Sequence, residues 1–140
     1  MTPDSLFQIA NPLAMAGWLA LALSPLAPRP ALLLAGVVVP LILSLAYTGL
    51  ILAFWSGAEG GFATLAQVQT LFTDPHVALA GWLHYLAFDL LIGAWATRTA
   101  RDEGIPHLFL LPCLALTFLF GPAGFLAFSA LRLTLSRLKG

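Results

Sequence analysis

Apolar residues fill four long stretches of the chain, and proline, glycine or a short polar cluster separates one from the next. In hydrocarbon only a helix or a closed barrel satisfies its own backbone hydrogen bonds, and about 20 helical residues cross it. The first stretch, about 6–23, stops at Pro25, Pro28 and Pro30, which cannot continue a helix. The second, about 31–55, ends at Ser56-Gly57 and contains Pro40, which should bend it. The third, about 75–97, opens on Asp74-Pro75, an N-cap followed by proline at the first helical position. The fourth, about 106–135, follows Gly104 and carries Pro106 in its first turn. Between the second and third, Phe62, Leu65, Val68 and Phe72 recur every three or four residues around Gln67 and Gln69. That period predicts a short amphipathic helix over about 61–72, lying on the membrane surface as a linker or as a lid for a lipid-like molecule. The pattern thus predicts an all-α, polytopic integral membrane protein: four transmembrane helices plus an interfacial helix in one transmembrane domain, 1–140. Both termini should lie on one side, because the number of spans is even.

Composition agrees. Hydrophobic residues make up 60% of the 140 positions and charged residues 9%, with a mean hydropathy of +0.94, whereas soluble domains carry about 25% charged residues. A water-soluble core is excluded, and stability must come from close helix packing and buried polar contacts. The formal net charge of zero offers no basic surface for nucleic acid. The expected partners are the bilayer itself and an apolar molecule within it. Cys113 is the single cysteine, so neither an intramolecular disulfide nor a thiolate metal cluster is available. The start, Met1-Thr2-Pro3-Asp4, has no basic signal-peptide region and no transit-peptide character, which points to a multi-pass protein of a bacterial cell (inner) membrane. Charge bias does not orient it. With four spans crossed once each, Arg29, Arg98 and Arg101 fall on one side and Arg132, Arg137 and Lys139 on the other.

Ionisable groups inside a span are costly, so each is a functional candidate. The third span holds His84 and Asp89, about 140° apart around a helix and therefore aimed into different seams. Tyr85 lies one turn before Asp89, with Trp82 and Gly93 on roughly the same stripe. If the third and fourth spans form an antiparallel hairpin, Asp89 is level with Leu116-Thr117 and His84 with Gly121-Pro122. Pro122 should kink the helix and free the carbonyl of Phe118 near His84, beside the small residues Gly121 and Gly124. Asp89 is expected to be paired with Tyr85 or Thr117. The plainer reading makes His84 and Asp89 polar glue that sets helix register. His107, in the first turn of the fourth span, would snorkel, and His76 would be solvated. Two histidines and a carboxylate would suit non-haem iron. However, His84 and His107 fall at opposite ends of the hairpin, roughly 20 Å apart by helix rise, so no metal site is expected. Sequence signatures of phosphoryl transfer, classical hydrolysis and nucleotide binding are absent.

Three motifs in order carry a family resemblance. They are Gly60-Gly61-Phe62-Ala63-Thr64-Leu65 with Val68 and Leu71-Phe72; Gly81-Trp82-Leu83-His84-Tyr85-Leu86-Ala87-Phe88-Asp89-Leu90; and Gly104-Ile105-Pro106-His107-Leu108 through Leu111-Pro112-Cys113 to Phe120-Gly121-Pro122-Ala123-Gly124. Together, over about residues 55–132, they resemble the neoxanthin synthase family, the abscisic-acid-deficient membrane proteins of plants and their bacterial relatives. The first two spans match only as apolar segments.

The resemblance implies an intramolecular isomerase acting on a carotenoid, a xanthophyll epoxide, or on a related isoprenoid lipid, with no cofactor. Such a reaction protonates the epoxide oxygen and removes a proton from the adjacent polyene carbon. Asp89 would be the acid with Tyr85 orienting it and His84 the base, while Trp82, Thr117, Gly121, Phe118 and His107 line the ligand. The expected site is one cleft between the third and fourth spans, opening toward the surface helix. A homo-oligomer would enlarge the small interior of a four-helix chain. Two alternatives stand beside this: a non-catalytic carotenoid- or lipid-binding protein that supports a partner enzyme, and a small proton-coupled carrier using Asp89 and His84.

Overall fold

The computed structural model describes residues 2–139, apart from the side chain of Lys139, so positions 1 and 140 of the expected domain lie outside the described residues. Every regular element described is helical. Helix α1 (Pro3–Ala22) begins where the Thr2 hydroxyl accepts the Ser5 N–H. Helix α2 (Pro28–Leu33), a π turn (Leu34–Val38) and helix α3 (Val39–Phe54) form one continuous rod. The π turn is the form that the bend at Pro40 takes. Proline has no N–H and its ring crowds the carbonyl four residues earlier; the wider turn, closed by Val39 N–H on Leu34 O, makes room. The rod starts before the expected residue 31 because Pro28 and Pro30 sit in its first turn, where no intrahelical donor is needed.

The surface helix α4 (Leu65–Leu71) is shorter than the expected 61–72. Thr64 is extended and its hydroxyl accepts the Gln67 N–H, while Gln67 Oε1 accepts the Ala63 N–H, a reciprocal cap that defines the start. Helix α5 (Pro75–Asp102) is capped by Asp74, which accepts from His76 at 2.8 Å and Val77 at 3.1 Å. It runs past the expected end at 97 to Asp102 and forms the centre of the bundle. Small residues bring α1 against it: a Cβ on Gly93 would stand 2.8 Å from the Trp18 ring, and one on Gly17 2.6 Å from Leu90.

The expected fourth span is two helices. Helix α6 (His107–Phe120) ends at Gly121, where φ is +27° and ψ −85°, and helix α7 (Pro122–Lys139) turns back along it. Phe125 and Phe128 each meet Trp95 at 5.5 Å between ring centres, and Arg132 Nε donates to Glu103 at 2.9 Å, beside the start of α6. The expected kink at Pro122 becomes a reversal for two reasons. Glycine enters the positive-φ region that other residues avoid, and proline is favoured as the first residue of a new helix.

The bundle therefore has a first end and a second end. The first holds the start of α1, the end of α3, α4 and the start of α5, where Phe54 and His76 stack at 3.7 Å, while the Gly121 turn lies part-way along the bundle beside Asp89, in the middle of α5. The second holds the end of α1, the α5–α6 loop and the end of α7; there His107 Nε2 lies 2.8 Å from Ala22 O. The N-terminal residues and the end of α7 consequently lie at opposite ends, not on the expected common side. Three helical stretches are long and apolar enough to cross a membrane: Pro3–Ala22, Pro28–Gly57 and Pro75–Asp102. At 14 residues, α6 is apolar but shorter. Leu26 and Leu52 are more than 80% exposed among many outward apolar side chains, a surface stable only against hydrocarbon or another apolar partner.

Candidate functional site

Successive residues of α5 point about 100° apart, so its polar side chains are distributed around the helix. His84 turns toward α3: its ring lies 5.8 Å from Tyr47 and stacks on Phe88 at 4.6 Å. It lines a cleft of about 330 Å³ under α4 with Tyr47, Trp55, Phe62, Phe72 and Gly81. Tyr85 turns the other way, toward α6, and donates to Leu119 O at 3.0 Å and to Phe118 O at 3.4 Å. Carbonyls are indeed left free where the fourth stretch breaks, but Tyr85 receives them rather than His84.

A long groove runs along the seam between α1 and α6. One part, about 360 Å³, is lined by Asn11, Met15, Trp82, Tyr85, Leu86 and Phe118 among others. The next part, about 350 Å³, shares Met15 and Phe118 and continues past Trp18 and Leu111 to Ala22. From Asn11 to Ala22 the wall measures about 16 Å by helix rise. Its polar groups gather at one end, where Trp82 Nε1 donates to Asn11 Oδ1 at 2.8 Å and Trp82 stacks on Tyr85 at 5.3 Å. The rest is apolar: Phe118 meets Trp18 edge-on at 5.7 Å.

Asp89 sits beneath the Gly121 turn. A Cβ on Gly121 would collide with Asp89 Oδ1 and stand 3.0 Å from Oδ2, so only glycine allows the turn to close over the carboxylate. Tyr85 and His84 are the polar side chains near enough to act on that carboxyl. The Tyr85 hydroxyl is shared between Leu119 O and this carboxyl, whereas buried Thr117 donates to Cys113 O at 2.7 Å. Asp89 Oδ2 is buried with no hydrogen-bond partner, while the carboxyl keeps a side-chain hydrogen bond with Tyr85, the first of the two expected partners; Thr117 is not one. What faces it is the start of α7, whose first amides carry the positive end of the helix dipole.

The expected single cleft is thus resolved into three places. Trp82, Tyr85 and Phe118 line the groove. Asp89, Gly121 and, through the close approach of Gly124 to Thr117, the α6–α7 crossing lie one turn deeper on the same side of α5. His84 belongs to the cleft under α4. His107 is at the second end, tied to Ala22, away from the Asn11–Tyr85 end of the groove. The expected level of Asp89 with Leu116-Thr117 is about a turn out, because the reversal puts Gly121 over it. Among the residues not anticipated as lining, three come from α1: Asn11, Met15 and Trp18. The available signal was Asn11, a polar amide inside an apolar span. Replacing it by leucine should strand the Trp82 N–H and lower stability by about 1–3 kcal/mol, the usual cost of an orphaned donor, read from a thermal melt in detergent.

Compared with known protein families, residues 5–128 match the model of the ABA DEFICIENT 4-like family. The match takes in α1 and the α2–α3 rod, where the sequence motifs offered only apolar segments, and reaches Phe128 of α7. No curated protein and no solved structure matches the chain.

Proposed function

The chain belongs to the ABA DEFICIENT 4-like family, and we propose that it is a multi-pass protein of the cell membrane that takes a carotenoid or related isoprenoid lipid into the α1–α6 groove and isomerises it. The observation that carries this reading is the groove itself: a long apolar channel open to the side, with Asn11, Trp82 and Tyr85 collected at one end. A molecule with a polar ring and a polyene tail matches that division. Its ring oxygen would lie near Tyr85, and its chain would follow Trp18 and Leu111 and continue among acyl chains.

For a xanthophyll epoxide the reaction is a balanced isomerisation. Asp89 protonates the epoxide oxygen, the C–O bond breaks, and a base takes the proton from the neighbouring polyene carbon to form the allene. One proton enters and one leaves, so the formula is unchanged and neither electrons nor a co-reactant are required. Tyr85 lies on the same side of α5 as Asp89 and orients the oxygen. His84 faces the α4 cleft and is therefore not assigned the base; the carboxylate of Asp89, once it has given up its proton, removes the second one.

A second reading has its own observation: the turn at Gly121 closes over Asp89, and the Tyr85 hydroxyl is already engaged. On that reading the groove holds the lipid without changing it. The experiment is to purify the protein from a carotenoid-producing host, record the absorbance it carries, and incubate it with a xanthophyll epoxide. A product of identical mass and altered retention supports the isomerase. Bound pigment recovered unchanged supports the carrier, and a protein that binds no isoprenoid under either condition refutes both.

A further inference from the structure

We infer that the second end of the bundle faces the cytoplasm, so that α4 and the Asn11–Tyr85 end of the groove lie in the opposite leaflet. This rests on the membrane-spanning reading above. The chain has six Lys and Arg residues in total. Arg29 opens α2, Arg98 and Arg101 close α5, and Arg132 and Arg137 lie in the second half of α7, which ends at Lys139. All these positions are at the second end, because α7 runs back toward the α5–α6 loop and Arg132 bonds Glu103 there. The first end, comprising residues 2–5 and 55–74, contains no Lys or Arg and instead carries Asp4, Glu59 and Asp74.

The three-against-three tie of a four-span topology thus becomes six against none once the chain reverses at Gly121. Cations near helix ends resist translocation and are attracted to the anionic inner leaflet, whereas carboxylates count for little. Every connection here is short, so each cation lies within the range where the rule operates. Arg29, Arg98, Arg101 and Arg137 are exposed. Arg132 adds an anchor of the interfacial kind, its guanidinium 5.9 Å from the Trp95 ring and 6.0 Å from Phe128. On α5, Tyr85 is nearer Pro75 than Asp102, so the polar end of a groove ligand sits in the leaflet away from the cytoplasm.

The test uses three single-cysteine variants of the full chain, with the buried native thiol removed as Cys113→Ala: Glu59→Cys, Asp102→Cys and Ser136→Cys, all at exposed positions. A membrane-impermeant maleimide is applied to intact cells of a bacterial host and again after permeabilisation. Glu59→Cys should label fully in intact cells, and the other two only after permeabilisation. Asp102→Cys labelled from outside overturns the orientation. Ser136→Cys labelling together with Glu59→Cys overturns the reversal at Gly121 and the charge count built on it. Release of the protein by alkaline carbonate, measured on the same membranes, sinks the spanning reading itself and the orientation with it, and is thereby told apart from a wrong orientation.

Discussion

Asp89→Asn is expected to yield a folded protein that still carries its isoprenoid but forms product at least about a hundredfold more slowly, the lower bound for losing a general acid. The substitution keeps the side chain's volume under Gly121, where larger groups have no room. It also breaks no hydrogen bond at Oδ2, which has none, and the amide oxygen can still accept from Tyr85. Its main effect is on the transferable proton, so binding and turnover should separate. Bound pigment is measured by absorbance of the purified protein, turnover by chromatography of the epoxide and its isomer, and folding by thermal melt. Unchanged turnover in Asp89→Asn would remove Asp89 from the mechanism and leave it as a buried polar group beneath the Gly121 turn. Tyr85→Phe should act more mildly on the melt, losing a bond to Leu119 O of about 1 kcal/mol, with a larger effect on conversion than on pigment content.

Gly121→Ala should damage the fold severely. The residue has φ +27°, where a side chain is strained, and its new Cβ would meet both Asp89 oxygens within 3.0 Å or less. Neither can move freely: Asp89 is on the central helix, and the turn is held by Phe125 and Phe128 on Trp95. Strain of about 1–3 kcal/mol for the backbone, with overpacking of similar size, predicts a loss of roughly 2–5 kcal/mol. The measurement is the melting temperature in detergent, together with the accessibility of a cysteine at position 136, which should change if α7 no longer folds back. The Asp89→Ala, Gly121→Ala double variant tests the cause, because removing the carboxylate should recover the overpacking part but not the backbone part. A single Gly121→Ala variant that melts like the unaltered protein would show that the close approach does not constrain the turn.

Much of the fold was legible as pattern. Long apolar stretches have few ways to satisfy their backbone in hydrocarbon, so helices at about 6–23, 31–55 and 75–97 follow from composition, and the Asp74-Pro75 signal marks the start of α5 correctly. The amphipathic period marks α4, although Thr64 and Gln67 trim its ends. The two seams of α5 were also legible, since a spacing of five residues sends His84 and Asp89 to different sides whatever surrounds them.

The number of chain passes was not legible. Gly121-Pro122 is compatible with a kink or with a reversal, and hydropathy is the same for both. The local sequence permits positive φ at Gly121, but contacts far away in sequence select it: Phe128 on Trp95, Arg132 on Glu103, and Gly124 against Thr117. Those contacts also decide which end collects the cations and which side chain takes the freed carbonyl of Leu119. Asn11 was visible as a polar residue in an apolar span, but nothing local pairs it with Trp82, 71 positions away. By itself, then, the sequence determined what each segment is, because helix formation in an apolar medium is a local, backbone-driven requirement. Tertiary structure alone decided which faces meet, because that choice depends on packing and hydrogen bonds between residues that only the folded chain brings together.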